Sequence, residues 1–373
     1  MEKNSPITQM LKIKTCIDGG DPSVTPIFQN SAFESSSPYF YTRKDNPNSA
    51  EFEAAVAILE GAEYALAVTT GMTAITIVLG LLRPHQHLLI NKYIYGCSYK
   101  LFQRFCEKLK IKLTVLDLST PEGIAQIPAD CDMIVFETPT NPFLKTINIQ
   151  EVASRAKSTS ANCLVVVDNT WATPLFQKPL EHGADISLYS ATKYFSGHSD
   201  VMGGVILTNN PEIAESLRQE RFYTGAILSP FSAWLLRRSL QTLPLRMREH
   251  HRVTVEMCDF LKEVRQIKKI YYPHIDGKQM TSYGGIIFFE FVEALAAEDP
   301  YVKFCDSLQL FGTGTGMACV TSMVARPYTG SHASMDDAEK AQMGITKKLV
   351  RLCFGLEEME DLKKDLAQAF AKL

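Results

Sequence analysis

A chain of 373 residues with 46% hydrophobic and 21% charged residues exceeds what one ordinary core organises and has ample material for two domains. Its net charge of −3 gives no electrostatic footprint for nucleic acid or an anionic membrane surface, so neither is expected as a partner. Nine cysteines without a Cys-x-x-Cys pair argue against a disulfide framework. The opening MEKNSPITQMLKIK has no apolar run of signal-peptide length, so a reducing, cytoplasmic location is expected.

Residues 1–45 carry Pro, Ser and Asn without a hydrophobic period, which predicts an extended N-terminal arm. Over 46–243 the short apolar runs ALAV, HLLI, KLTVLDL, MIVFE, CLVVVD, ISLYS and GGVILT alternate with amphipathic stretches such as SYKLFQRFCEKLK and NIQEVASRAKSTS. That rhythm predicts crossover units and a large, mainly parallel sheet of the α/β class. Sites in such sheets lie beyond the carboxyl ends of the strands. Residues 64–82, YALAVTTGMTAITIVLGLL, are uncharged over nearly a membrane-spanning length. Their central Thr-Thr-Gly predicts a buried strand, a tight turn and a buried helix instead. Over 244–373 a charged helix (PLRMREHHRVTVEMCDFLKEV), strand-like GGIIFFEF and a terminal helix from Glu358 predict a smaller α+β domain.

Two residues carry the chemistry. Asp168 ends the apolar run VVVD, and Lys193 follows the run ISLYS in SLYSATKYFSGHSD. A strand-end acid can cap the next helix, but in this architecture it is more often a site residue. A lysine amine with a depressed pKa forms Schiff bases. Ser190 and Thr192 beside it offer hydroxyls to a phosphate, and Gly71 and Met72 in TTGMTAI offer amides at a helix N-terminus. An aldehyde cofactor with a phosphate and a ring nitrogen that needs an acid uses all these groups: pyridoxal 5'-phosphate. Weaker signals read otherwise. GTGTGMA (312–318) mimics a dinucleotide loop but follows a helix-like segment rather than a strand. His85 and His87 in RPHQH suit a surface turn, and no metal site is expected. Trp171 is expected to pack.

YTRKDNP, ETPTNP, VVDNTW, YSATKY and VRLCFGLE, in that order along the chain, resemble the pyridoxal-phosphate enzymes of cysteine and methionine metabolism, a family of cystathionine lyases and synthases and methionine γ-lyase. The resemblance implies the fold-type I, aspartate aminotransferase-like architecture. It also implies a homotetramer, a dimer of dimers with shared active sites. Lys193 would carry the cofactor as a Schiff base and move protons, and Asp168 would keep the pyridine nitrogen protonated. Gly71, Met72, Ser190 and Thr192 would bind the phosphate. Tyr95 would stack on the ring and serve as an acid. Asn141 would contact the ring oxygen and the substrate carboxylate, and Arg351 would grip that carboxylate. Tyr41 and Arg43 would complete the phosphate site of a neighbouring subunit.

Departures from the family narrow the substrate. Gly316-Met317-Ala318 stands where the family usually carries Ser-Leu-Gly, and Thr315 precedes it where many relatives have an acid. Phe40, before Tyr41, is again not an acid. FYTR together with YGC, which places Cys97 two residues after Tyr95, is similar to methionine γ-lyase. Arg221 and Phe222, however, replace its Lys-Asp pair. Thr315, Gly316 and Cys97 are therefore candidate substrate contacts. The expectation is a lyase acting by α,γ-elimination on a γ-substituted L-amino acid. The alternatives are γ-replacement by a thiol and a cofactor-binding protein without catalysis.

Overall fold

The computed structural model describes residues 4–15, 22–295 and 299–373; parts of the predicted arm, 1–3 and 16–21, lie outside them. Seven strands form the larger sheet: β1 (Tyr64–Val68), β2 (His87–Asn91), β3 (Lys112–Leu116), β4 (Met133–Glu137), β5 (Leu164–Asp168), β6 (Ile186–Ser190) and β7 (Gly204–Thr208). Their order is β1-β7-β6-β5-β4-β2-β3. Only the pairings of β7, with β1 and with β6, are antiparallel. β2, β4 and β7 are buried along their whole length because helices cover both faces, as the uninterrupted apolar runs require. On one face Val68, Ile90, Val135, Val166 and Leu188 pack with Ile75 and Phe102 of the helices Gly71–Leu79 and Gly96–Leu109. The alternate residues Leu89, Ile134, Phe136, Val165 and Val167 meet the helix Ile149–Thr159.

The uncharged stretch 64–82 divides as expected into β1, a turn and the helix Gly71–Leu79. Among the described residues no helix is long and apolar enough to cross a membrane. At its first residue this helix comes so close to β6 that a Cβ on Gly71 would lie 2.7 Å from the Ser190 Cβ. Only glycine allows that approach.

The smaller sheet holds β8 (Ile267–Tyr271), β9 (Ile286–Phe291), β10 (Gly312–Thr313), β11 (Met323–Ala325) and β12 (Leu349–Cys353), in the order β10-β11-β12-β9-β8. Alternation along β12 decides what it contributes. Val350 and Leu352 point into a local core with the helix Met359–Ala371. Leu349 and Cys353 join the core that also holds Trp171 and Tyr194 of the larger part, and Arg351 lies between them on that same side.

Two expectations need adjustment, and a third holds. The arm is not wholly extended: the helix Pro6–Lys12 buries Met10 completely, and Arg237 donates to the carbonyls of Met10 and Ile13 at 2.9 and 2.8 Å. His87 is not in a surface turn but buried in β2, its ring bonded to Asp130 and Thr114. The dinucleotide-like GTGTGMA begins as β10 and follows the helix Pro300–Ser307, so no strand feeds it.

Candidate active site

Parallel strands that end together bring their last residues together. Glu137 and Asp168 are register partners at the ends of β4 and β5, and β6 ends beside them at Ser190. With the N-terminus of the helix Gly71–Leu79, they border a cavity of ≈ 380 Å³. Gly71, Met72, Tyr95, Asn141, Asp168, Ser190, Thr192, Lys193, Thr315 and Arg351 all line it. Ten candidates scattered over 281 positions of sequence thus share one wall-to-wall space. A larger cleft of ≈ 480 Å³ beside the helix Pro6–Lys12 has none of these groups.

Lys193 sits in the turn after β6. Its amide donates to Ser190 O at 3.1 Å, and its carbonyl accepts from the Gly197 amide at 2.8 Å. Burial, and then the charge of Arg351, lower its pKa, which favours the free amine. The Thr192 hydroxyl bridges to Gly203, accepting from its amide at 3.1 Å. Asp168 Oδ1 accepts from the Thr170 amide at 3.0 Å and its hydroxyl at 2.5 Å. Burial still pushes the Asp168 carboxyl up to about 6, against those two donors.

Tyr95 lies at the start of the helix Gly96–Leu109. Burial, then the nearby Cys97 sulfur and Glu137, raise the pKa of its hydroxyl, so it holds its proton. Asn141 precedes a cis proline, and its Oδ1 is buried without a partner. Arg351 is 3% exposed. Its Nη2 donates to the carbonyls of Thr315 and Gly316 at 3.1 and 3.2 Å, and its Nη1 faces the Met317 sulfur at 3.0 Å. Its Nε has no partner.

Four candidates lie off the cavity wall. Gly316 sits between the wall residues Thr315 and Met317 and accepts from Arg351, and Cys97 lies against Tyr95. Tyr41 and Arg43 are exposed, with the Arg43 guanidinium 4.4 Å from the Phe222 ring centroid. Sequence reasoning missed Glu137, although an acid ending the apolar run MIVFE is the same signal that marked Asp168. It also missed Thr170, whose two bonds hold Asp168, and it placed Trp171 in packing, where the structure gives it both a core position and a face on the cavity.

Comparison with known proteins agrees with this geometry. The family description "Cys/Met metabolism PLP-dependent enzyme" matches residues 12–371. A cystathionine beta-lyase of Lactococcus lactis subsp. cremoris is 36% identical over 93% of each chain. An L-methionine gamma-lyase of Pseudomonas putida is 35% identical over 94% of this chain and 93% of its own. Among solved structures, a cystathionine gamma synthase of Xanthomonas oryzae pv. oryzae superposes with a TM-score of 0.94 at 31% identity, covering 100% and 99% of the two chains. With the strand-end acid, the lysine and the helix N-terminus in one cavity, the chain belongs to the pyridoxal-phosphate-dependent enzymes of cysteine and methionine metabolism.

Proposed function

We propose that the chain is a lyase that eliminates the γ substituent of an L-amino acid whose distal end carries no charge. One observation carries the substrate class. The acids on the cavity wall are Glu137 and Asp168, both at strand ends, while Arg351 lies against Thr315 and Met317 and, among the described residues, no further acid lines the cavity. A distal ammonium would lose its hydration there without a carboxylate to replace it.

The cavity residues fit the family's cofactor. The missing Cβ of Gly71 opens the helix N-terminus toward Ser190, which gives a phosphate the amides of Gly71 and Met72 and the hydroxyls of Ser190 and Thr192. Asp168, its Oδ1 held by Thr170, would take the protonated ring nitrogen, and the unpartnered Asn141 Oδ1 is a polar atom waiting for a ligand. When bound, pyridoxal phosphate supplies a conjugated ring that takes up the electron pair released at the substrate α carbon.

The protein's own groups do the rest. Arg351 grips the substrate carboxylate. Lys193, favoured as the amine, removes the α proton and then one β proton, whose electron pair expels the γ substituent. Tyr95 keeps its proton and delivers it to the departing γ atom. Trp171 and Met317 exclude water from the reacting carbons. A γ-thioether and one water give a thiol, a 2-oxo acid and ammonium. We also propose a homotetramer in which Tyr41 and Arg43, exposed in the single chain, complete the phosphate site of a neighbouring subunit.

The test is a panel of γ-substituted amino acids, with mass spectrometry for 2-oxo acid, ammonia and unsaturated products. Uncharged thioethers should exceed cystathionine by about tenfold or more in kcat/KM, the size of one uncompensated buried polar group. Efficient cleavage of cystathionine would overturn the substrate class. Products joined to an added thiol, in place of 2-oxo acid, would show replacement instead of elimination.

A further inference from the structure

Glu137 stands beside Asp168 in the parallel register, yet no step above uses it. It is 3% exposed. Its Oε1 accepts the Tyr95 amide at 2.9 Å, and its Oε2 is buried without a partner. We infer that Glu137 is a positioning residue that works as a neutral carboxylic acid. Its Oε1 holds the Tyr95 backbone at the start of the helix Gly96–Leu109, its proton sits on Oε2, and Asp168 is left as the single anion at the strand ends.

The geometry assigns the proton. Two carboxyl groups abreast in a cavity wall do not both ionise at small cost. Asp168 has two donors from Thr170 on its Oδ1. Glu137 has the Tyr95 amide on Oε1 and a further backbone donor in Asn141, but no hydrogen bond at Oε2, and a buried anionic oxygen without a donor costs more than a neutral hydroxyl in the same place. The other titratable groups around the pair do not reverse this. Lys193, from the turn after β6, is pushed toward its neutral form. Tyr95 keeps its proton. His332, packed by Ile94, is held neutral by burial, its pKa down to about 4. Arg351, on β12, directs its Nη1 and Nη2 to Met317, Thr315 and Gly316 rather than to Glu137. Burial first, and then the Asp168 charge, raise the Glu137 carboxyl well above its ordinary range, in the same direction as the geometric argument.

Glutamine reproduces the neutral acid: its carbonyl takes the Tyr95 amide and its NH₂ stands where the acid proton stood. The experiment uses the cofactor-loaded enzyme and reads the pH midpoint of its cofactor absorbance, cofactor affinity, and kcat and KM separately. Glu137→Gln should keep the midpoint within about 0.3 pH unit and kcat within about threefold, since no charge changes. Glu137→Leu, which leaves the Tyr95 amide unpaired in a buried place, should lower kcat about tenfold or more with a smaller change in KM. A midpoint displaced by a full unit in Glu137→Gln would show that Glu137 carries a charge and overturn the inference. So would a Glu137→Gln protein that no longer folds or holds cofactor, or a Glu137→Leu protein equal to wild type. If Glu137→Leu fails to fold, the glutamine variant alone decides. The absorbance and affinity readouts do not depend on which amino acid is turned over, so they stand or fall apart from the proposed substrate.

Discussion

Two places in the larger part of the molecule bury carboxyl groups against their ordinary chemistry. At the end of the helix Pro47–Glu60, Glu60 is fully enclosed and accepts the Tyr189 hydroxyl, and burial raises its carboxyl to about 8. At the ends of β4 and β5, Glu137 and Asp168 are raised for the same reason. A perturbed acid therefore does not identify a site. What separates the two places is what surrounds them. Tyr189, itself held by Asn169 at 2.8 Å, seals Glu60 inside the core. The strand-end pair faces a cavity of ≈ 380 Å³ with an amine, a guanidinium and a helix N-terminus. Convergent chemistry around an open space makes the site.

If that distinction holds, changes in the cavity move activity and changes at Glu60 move stability. The largest effect is expected at Lys193. Lys193→Ala should lower turnover by about a thousandfold or more, as loss of both the attachment amine and the proton carrier would. Borohydride-reduced peptides should lose the cofactor label at this position, and thermal stability should not fall, because the variant removes a buried amine. A labelled peptide at another lysine would refute the assignment. A large drop in melting temperature would blur the comparison itself.

Glu60→Gln tests the other side. The folded carboxyl titrates near 8 and the unfolded one near 4.5, so between these values the folded state holds a proton that the unfolded state has released. Glu60's contribution to stability is fully present below about pH 4.5 and is lost as pH rises toward 8, by at most about 1.4 kcal/mol per pH unit. Glutamine keeps a neutral partner for Tyr189 at every pH. Denaturant unfolding of the two proteins should agree near pH 5 and diverge in favour of Glu60→Gln by pH 8, with kcat/KM unchanged. Parallel curves across that range would mean that Glu60 is not a proton-holding core acid.

Much of this was legible in the sequence, for local reasons. Short apolar runs bounded by turns mark all seven strands of the larger sheet, including the edge strand β3, which has no buried residue. Asp168 and Lys193 stand out because they punctuate such runs. Strand order did not, since antiparallel β7 between β1 and β6 depends on crossovers far apart in sequence. The docking of Pro6–Lys12 escaped because a seven-residue helix buries one methionine and shows no period. β10 and β11, two and three residues long, are too short for alternation to register. Glu137 was visible and unread: ETPTNP drew attention to its prolines and asparagine, and the neighbour that matters lies on another strand.

The smallest predicted effect sharpens the comparison across subunits, because a site built from two chains differs from any core pair in one. Tyr41 and Arg43 stay exposed in the single chain, Arg43 lying over Phe222, and Phe40 beside them is 71% exposed. An apolar, cationic patch of this kind suits burial against a second copy. Chains with Lys193→Ala and chains with Arg43→Ala should each be nearly inactive alone. Refolded together or co-expressed, they form dimers of which about half are mixed under random two-fold pairing. In each mixed dimer one site carries both changes and the other neither, so about a quarter of wild-type activity should return. Native mass spectrometry can confirm the mixed species before the assay. If confirmed mixed dimers remain as inactive as their parents, Arg43 serves its own chain, and the cavity of a single subunit is as self-contained as the Glu60 core.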